Sequence, residues 1–303
     1  MPAVIANKIV KYYGKKKTVV TALQGVSFEV DKGELFGIIG PDGAGKTSLF
    51  RVLTTLLLPE GGTASVDGFD VVKDYKAIRN RVGYMPGRFS LYQDLTVKEN
   101  LDFFATIFNT TVEENYDLVK DIYSQIEPFK DRKAGKLSGG MKQKLALSCA
   151  LIHRPSVLFL DEPTTGVDAV SRKEFWEMLK RLKDQGITIL VSTPYMDEAS
   201  MCDRVALIQS GKILAINTPE GIVEKFGKQI LAVKGDNMLP LLQELKQSAM
   251  VEDAYAFGEY HHAVMKNDGR QELENYLQQI GRQVEMKEVQ PTIEDCFMAL
   301  MKE

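Results

Sequence analysis

The run Gly40-Pro41-Asp42-Gly43-Ala44-Gly45-Lys46-Thr47-Ser48 matches the spacing G-x-x-x-x-G-K-[ST]. Residues of these types in this order are suited to holding phosphate. Glycines let successive backbone N–H groups turn inward as an anion nest, and a helix N-terminus just downstream adds partial positive charge. Lys46 can then reach the β- and γ-phosphates of a nucleotide, and the Thr47 hydroxyl can ligate Mg²⁺. The neighbouring sequence provides the required setting. The apolar run "LFGII" precedes the glycines as a buried strand, and an amphipathic helix stopped by Pro59 follows them.

A second chemical element is "VLFLDE", which puts Asp161 and Glu162 at the end of another buried strand. Asp161 is suited to hold Mg²⁺ through water, and Glu162 to act as the base for an attacking water. The third element, Leu137-Ser138-Gly139-Gly140, stands ahead of an amphipathic helix that leads directly into that acidic strand. Ser138, Gly139 and Gly140 at a helix N-terminus form a second phosphate cradle. Such a cradle serves a nucleotide facing it across a dimer more easily than one held by its own subunit.

These residues need a scaffold, and the hydrophobic pattern describes one. Residues 1–35 alternate short β-type runs with Gly and Lys turns, as an antiparallel sheet would. From about Thr96 to Ile152 the pattern is helical, broken by "DRKAGKLSGG". Strands "SVLFLD", "ITILVS" and "RVALIQSGKI" then alternate with helices "SRKEFWEMLKRLKDQG" and "MDEASMC", which indicates an α/β fold with a mostly parallel sheet. After a linking stretch, the pattern becomes β-α-β-β-α-β with a final helix, a small ferredoxin-like α+β unit. The expected division is therefore residues 1–225, with a helical insert at about 97–152, and residues 226–303. In the smaller unit, His261 and His262 lack a nearby acidic or cysteine partner and read as surface residues. Glu294 and Asp295 read as compensation of a helix dipole.

With 303 residues, 44% hydrophobic and 26% charged, the composition is that of an ordinary soluble protein. The net charge of −3 and the sequence pI of about 5.8 disfavour nucleic acid as a partner. The Lys15-Lys16-Lys17 run reads as a solvated turn. The three cysteines, Cys149, Cys202 and Cys296, form no CxxC pair, which points to a reducing compartment without a disulfide framework or zinc site. No apolar stretch approaches the roughly 18–20 residues that span a bilayer. The expected location is cytoplasmic, with any membrane role exercised through a partner.

Taken in order, Gly40–Ser48, Leu137–Met141, Leu158–Glu162 and "TTGVD" to Asp168 resemble the nucleotide-binding subunits of ATP-binding cassette (ABC) transporters, over residues 1 to about 225. The resemblance implies a P-loop NTPase core that binds ATP and Mg²⁺. It also implies two such subunits sandwiching two nucleotides, each between the Lys46-type loop of one chain and the Ser138-type signature of the other. The helical insert would contact integral-membrane permease subunits, tying the chain to the inner face of the cytoplasmic membrane. Tyr13 matches the aromatic residue that stacks on adenine, with the adjacent Tyr12 equally placed. The "PTIEDCFMAL" tail resembles that of exporter-type cassettes.

Two positions depart from the family pattern. Gly87 stands where the family has a glutamine that touches Mg²⁺ or the attacking water, and Pro194 stands where it has a histidine on the γ-phosphate. Such departures resemble the N-terminal halves of exporter ATPases that fuse two cassettes. They imply a site that binds Mg·ATP but hydrolyses it weakly, in a chain paired with a competent second cassette. The alternatives are an active homodimeric exporter ATPase and a nucleotide sensor without a transport role.

Overall fold

The structure, a computed structural model, describes residues 1–14 and 19–302; the Lys15–Lys17 run lies outside them. The chain forms two compact units, Met1–Pro219 and Glu220–Glu303, where the sequence pattern puts the junction at 225/226.

The first unit begins with strands β1 (Val4–Tyr13), β2 (Val20–Val30) and β3 (Leu35–Ile39), then helix α1 (Lys46–Leu53). Strands β4 (Gly61–Val66) and β5 (Phe69–Asp70), helix α2 (Tyr75–Arg79) and strand β6 (Val82–Met85) follow. The helical insert holds α3 (Val97–Ile107), α4 (Tyr116–Tyr123) and α5 (Gly139–Leu151). Strand β7 (Val157–Asp161), helix α6 (Ala169–Asp184), and strands β8 (Thr188–Thr193), β9 (Arg204–Gln209) and β10 (Lys212–Asn217) complete the unit.

Two sheets organise it. An antiparallel sheet has the order β2-β1-β4-β5, and a six-stranded sheet has the order β10-β9-β3-β8-β7-β6. In the latter, β6, β7, β8, β3 and β9 run parallel, and β3, β7 and β8 are buried throughout. Continuous apolar runs at these positions are what a parallel sheet covered on both faces requires. Because the strands are parallel, the segments after Ile39, Thr193, Asp161 and Met85 all leave from one edge.

Three local expectations change. Helix α1 ends at Leu53 rather than running on to Pro59, because Thr55 takes a left-handed φ of 63° and its hydroxyl and carbonyl are held by the Arg79 guanidinium at 2.9 Å each. "RVALIQSGKI" is not one strand but the hairpin β9–β10, turning at Ser210 and Gly211, whose φ values are 48° and 75°. Consecutive left-handed residues give the tight turn that matches strand twist, and Ser-Gly is a weaker cue for it than Asn-Gly. "MDEASMC" forms a 3-10 turn, Met196–Met201, rather than an α-helix. Its Glu198 points inward onto the Thr193 and Thr164 hydroxyls, which holds the short form.

Helix α7 (Pro219–Phe226) begins at the junction. The second unit continues through β11 (Ile230–Gly235), α8 (Met238–Gln247), β12 (Val251–Phe257), β13 (Tyr260–Met265), α9 (Arg270–Gln279), β14 (Val284–Val289) and α10 (Ile293–Leu300). Its sheet order is β12-β13-β11-β14 with every pair antiparallel, the split β-α-β arrangement read from the sequence. Leu231, Val233, Ala263 and Met265 pack with Leu241, Leu245, Leu273 and Leu277 of α8 and α9.

His261 and His262 are not surface residues; each is only 5% exposed. The His262 Nδ1 lies 2.7 Å from Asp295 Oδ1, a partner too distant in sequence for local spacing to reveal. Asp295 also accepts from the Tyr255 hydroxyl at 2.8 Å and from the Thr292 N–H and hydroxyl, each at 2.7 Å. It thus closes the N-terminal capping box of α10 while fastening that helix to β12 and β13. These donors hold its carboxyl below the usual carboxylate range although burial opposes this. Asp295→Ala strands several buried donors and is expected to cost about 2–4 kcal/mol, read as faster hydrogen exchange of the β12 and β13 amides.

Candidate functional site

The phosphate loop leaves β3 and closes onto α1. Gly43 and Gly45 have φ of 78° and 108°, and a Cβ on Gly45 would fall 2.4 Å from the Ala22 carbonyl oxygen. Glycine is required there by both backbone and space. No acidic residue occupies the first turn of α1, so its N-terminal partial charge is left for an anion. Lys46 is 2% exposed, and its ammonium donates to the Gly40 carbonyl at 2.7 Å and the Pro41 carbonyl at 3.1 Å. The Glu162 carboxylate lies 3.1 Å from the same nitrogen.

Asp161 and Glu162 end β7 in different conformations. Asp161 is buried and accepts from the Ser192 hydroxyl of β8 at 2.6 Å. Glu162 has a φ of 50°, a left-handed conformation that costs a non-glycine residue about 1–3 kcal/mol. Its N–H donates to the Ser192 carbonyl at 3.0 Å and to the Ser192 hydroxyl at 3.1 Å. The kink turns its side chain off the strand and onto Lys46. Nearby, the Tyr84 phenol is pushed up to about 12 by burial and by the Asp161 charge. Among the described residues no cluster of three or more His, Cys, Asp or Glu could hold a metal. A Mg²⁺ ion here would need phosphate oxygens besides Thr47 and Asp161, which is how Mg²⁺ is held in nucleotide sites.

Gly87 and Pro194 belong to this same corner. The Gly40 N–H donates to the Thr193 carbonyl at 3.2 Å, so the residue after Thr193, half-buried Pro194, abuts the phosphate loop. A Cβ on Gly87 would lie 3.0 Å from the Asp161 carbonyl oxygen and 3.7 Å from Glu162 Cβ. Pro194 offers neither a side-chain donor nor an N–H, and Gly87 has no side chain.

Tyr13, rather than Tyr12, faces the loop: its hydroxyl is 3.0 Å from Ser48 Oγ, and the residue is 39% exposed. Ser138 and Gly139 are exposed at the start of α5, where Ser138 caps the Met141 N–H at 3.4 Å. A Cβ on Gly140 would sit 3.1 Å from Ser171 Oγ, so α5 and α6 begin side by side. Among the described residues no hydrogen bond or ion pair joins Ser138–Gly140 to Gly40–Ser48.

An apolar cleft of about 320 Å³ opens between β6 and the insert, lined by Tyr84, Met85, Leu91, Phe104, Phe108 and Cys149 among others. Tyr92 and Phe103, both partly exposed, continue that surface outward through ring contacts at 4.9 and 5.6 Å to Phe104.

Two polar side chains at this edge, Ser192 and Glu198, carry weak sequence signals. Ser192 was detectable as a hydroxyl closing an apolar strand. The buried carboxylate of Glu198 depended on contacts distant in sequence.

A parallel sheet with a glycine loop, lysine and acidic pair at one edge defines a P-loop nucleotide-binding domain. A sequence profile of the ABC transporter family matches residues 23–165. The chain is 39% identical over 247 residues to the Nod factor export ATP-binding protein I of Burkholderia lata, covering 80% of each. It is 38% identical over 276 residues to the probable multidrug ABC transporter ATP-binding protein YbhF of Escherichia coli K12, covering 90% of this chain. It spans about half of that relative, 48% of its length. Among solved structures, an ATP-binding subunit of an ABC transporter aligns with a TM-score of 0.67 and 26% identity, over 74% of this chain and 93% of the other. A dimeric cassette bound to ADP and phosphate has a TM-score of 0.65 at 24% identity, covering 71% and 98%, a likeness of fold. The chain belongs to the family of ABC transporter ATP-binding proteins. Among the described residues no helix is long and apolar enough to cross a membrane.

Ser192→Ala removes the donor to Asp161 and one acceptor of the Glu162 N–H. It is expected to weaken ATP binding about 5–20-fold in Mg²⁺ while leaving binding in EDTA unchanged, as measured by calorimetry.

Proposed function

We propose that this chain is the ATP-binding subunit of a membrane exporter, and that its own site holds Mg·ATP firmly but cleaves it slowly. The relatives named for multidrug transport and Nod factor export support the exporter reading. In this reading the amides of Gly40–Ser48 and the Lys46 ammonium cradle the phosphates. Thr47 and Asp161 hold Mg²⁺, Glu162 is the base, and Tyr13 stacks on adenine. The ion supplies charge neutralisation of the phosphates when bound.

One observation carries the slow-cleavage reading: the bond from the Gly40 N–H to the Thr193 carbonyl, which leaves Pro194 as the residue beside the terminal phosphate corner. A preorganised donor to developing charge is worth about 2.7–4 kcal/mol, or roughly 10²–10³ in rate. Neither Pro194 nor Gly87 can supply it. Glu162 remains, and a positioned base contributes about 10²–10⁴-fold.

The exposed Ser138 and Gly139, with Val170 70% exposed on the adjoining start of α6, suit a facing cassette. We infer a second cassette that retains the histidine and glutamine, so that this chain lends its signature to a competent site. The apolar cleft, with Tyr92 and Phe103 leading into it, would receive a cytoplasmic segment of a permease subunit and keep the chain at the membrane's inner face.

Purified alone, the chain is expected to bind Mg·ATP with little turnover. Pro194→His is expected to raise that turnover by about 10-fold or more. Gly87→Gln must shift the Asp161 carbonyl and should gain less. Fast hydrolysis by the wild-type chain with no other cassette present would overturn the reading.

A further inference from the structure

Glu198 is a carboxylate only 3% exposed. Its Oε2 accepts from the Thr193 hydroxyl at 2.5 Å and its Oε1 from the Thr164 hydroxyl at 2.8 Å. Both threonines are buried. The Arg172 guanidinium, stacked 5.0 Å from the Tyr195 ring, stands 3.9 Å from the same Oε1. A desolvated carboxylate is costly, and a purely structural joint at this place could be made by apolar packing. The three segments it touches are not ordinary core. Thr193 immediately precedes Pro194, Thr164 follows Glu162 by one proline, and Arg172 lies one turn into α6.

Oε1 therefore holds the Thr164 end of the turn Pro163–Asp168, and Oε2 anchors that end to the tip of β8; the Asp168 end is fixed to α6 by its own carboxylate, which accepts from the Val170 and Ser171 N–H groups at 3.1 and 3.0 Å. The turn's own bonds are few, from the Thr165 N–H to the Glu162 carbonyl at 3.2 Å and from the Val167 N–H to the Thr164 carbonyl at 3.2 Å. Beyond it, Ser171 packs against Gly140. We infer that Glu198 is a positioning residue, a strut that fixes the Pro194 corner, the Glu162 kink and the Ser138–Gly140 surface relative to one another. A change at the terminal phosphate corner then moves the signature that faces the other nucleotide. This inference rests on the two-cassette reading, because the signature acts on a nucleotide held by the facing chain.

The test measures ATP turnover of the assembled transporter, with this chain co-expressed with its permeases and companion cassette. Spatial adjacency alone does not establish coupling, so a double-mutant cycle is needed. Glu198→Gln and Thr164→Val are each expected to lower kcat about 10-fold with KM for ATP unchanged. The double variant is expected to be no worse than either single one, and Thr164→Ser to restore wild-type kcat. Multiplicative losses in the double variant overturn the strut. A wild-type kcat in folded Thr164→Val also overturns it, even where Glu198→Gln fails to fold. Hydrolysis by the isolated wild-type chain bears on the slow-site reading instead, so the two failures are distinguishable.

Discussion

The side-by-side parallel pairing of β3, β8 and β7 is the constraint on which the site depends. Ile39 pairs with Thr193 and Asp161 with Ser192, so the phosphate loop, the Pro194 segment and the acidic pair leave one edge as neighbours. The adjacency is made by backbone as well as side chains. Gly40 donates to the carbonyl of Thr193, and Glu162 donates to that of Ser192. Two consecutive residues at the tip of β8 thus fix both the phosphate loop and the acidic pair. Their hydroxyls do the same for two buried carboxylates, Ser192 for Asp161 and Thr193 for Glu198. A shift of β8 by one residue would reverse both hydroxyls.

This geometry gives the two departures from the family pattern their meaning. Binding a triphosphate draws on amides, a helix N-terminus and Lys46, all of which are in place. Cleaving it draws on donors aimed at charge that develops only in the transition state. Losing such donors lowers rate with little effect on ground-state affinity. On the proposed reading, such a site would hold nucleotide for long intervals. In a pair of cassettes it would keep the interface closed while the other site turns over.

Much of this was legible because it is local. The nine residues Gly40–Ser48, the strand "LFGII" before them and the helix after them occur as one continuous pattern. The β-α-β-β-α-β order of the second unit followed from strand and helix periodicity alone. What escaped depended on tertiary placement. Asp295 reads as an ordinary helix-start acid, and only the sheet brings His262 and Tyr255 to it. Glu198 reads as one more charge in "MDEASMC", and only the fold of that turn sends it inward. The β9–β10 hairpin is masked in the sequence because Ser210-Gly211 interrupts an otherwise continuous strand pattern with a weak turn signal. Tyr12 and Tyr13 were indistinguishable until the strand's alternation gave one of them to Ser48.

The central claim is that nucleotide stays intact in this chain's own phosphate site while the assembled transporter works. It is tested most directly by crosslinking a photoreactive, terminally labelled ATP analogue to the turning-over complex and identifying the species attached to each cassette. The account requires intact triphosphate on this chain and diphosphate on its companion. Diphosphate on this chain, formed at the rate of overall turnover, would contradict it.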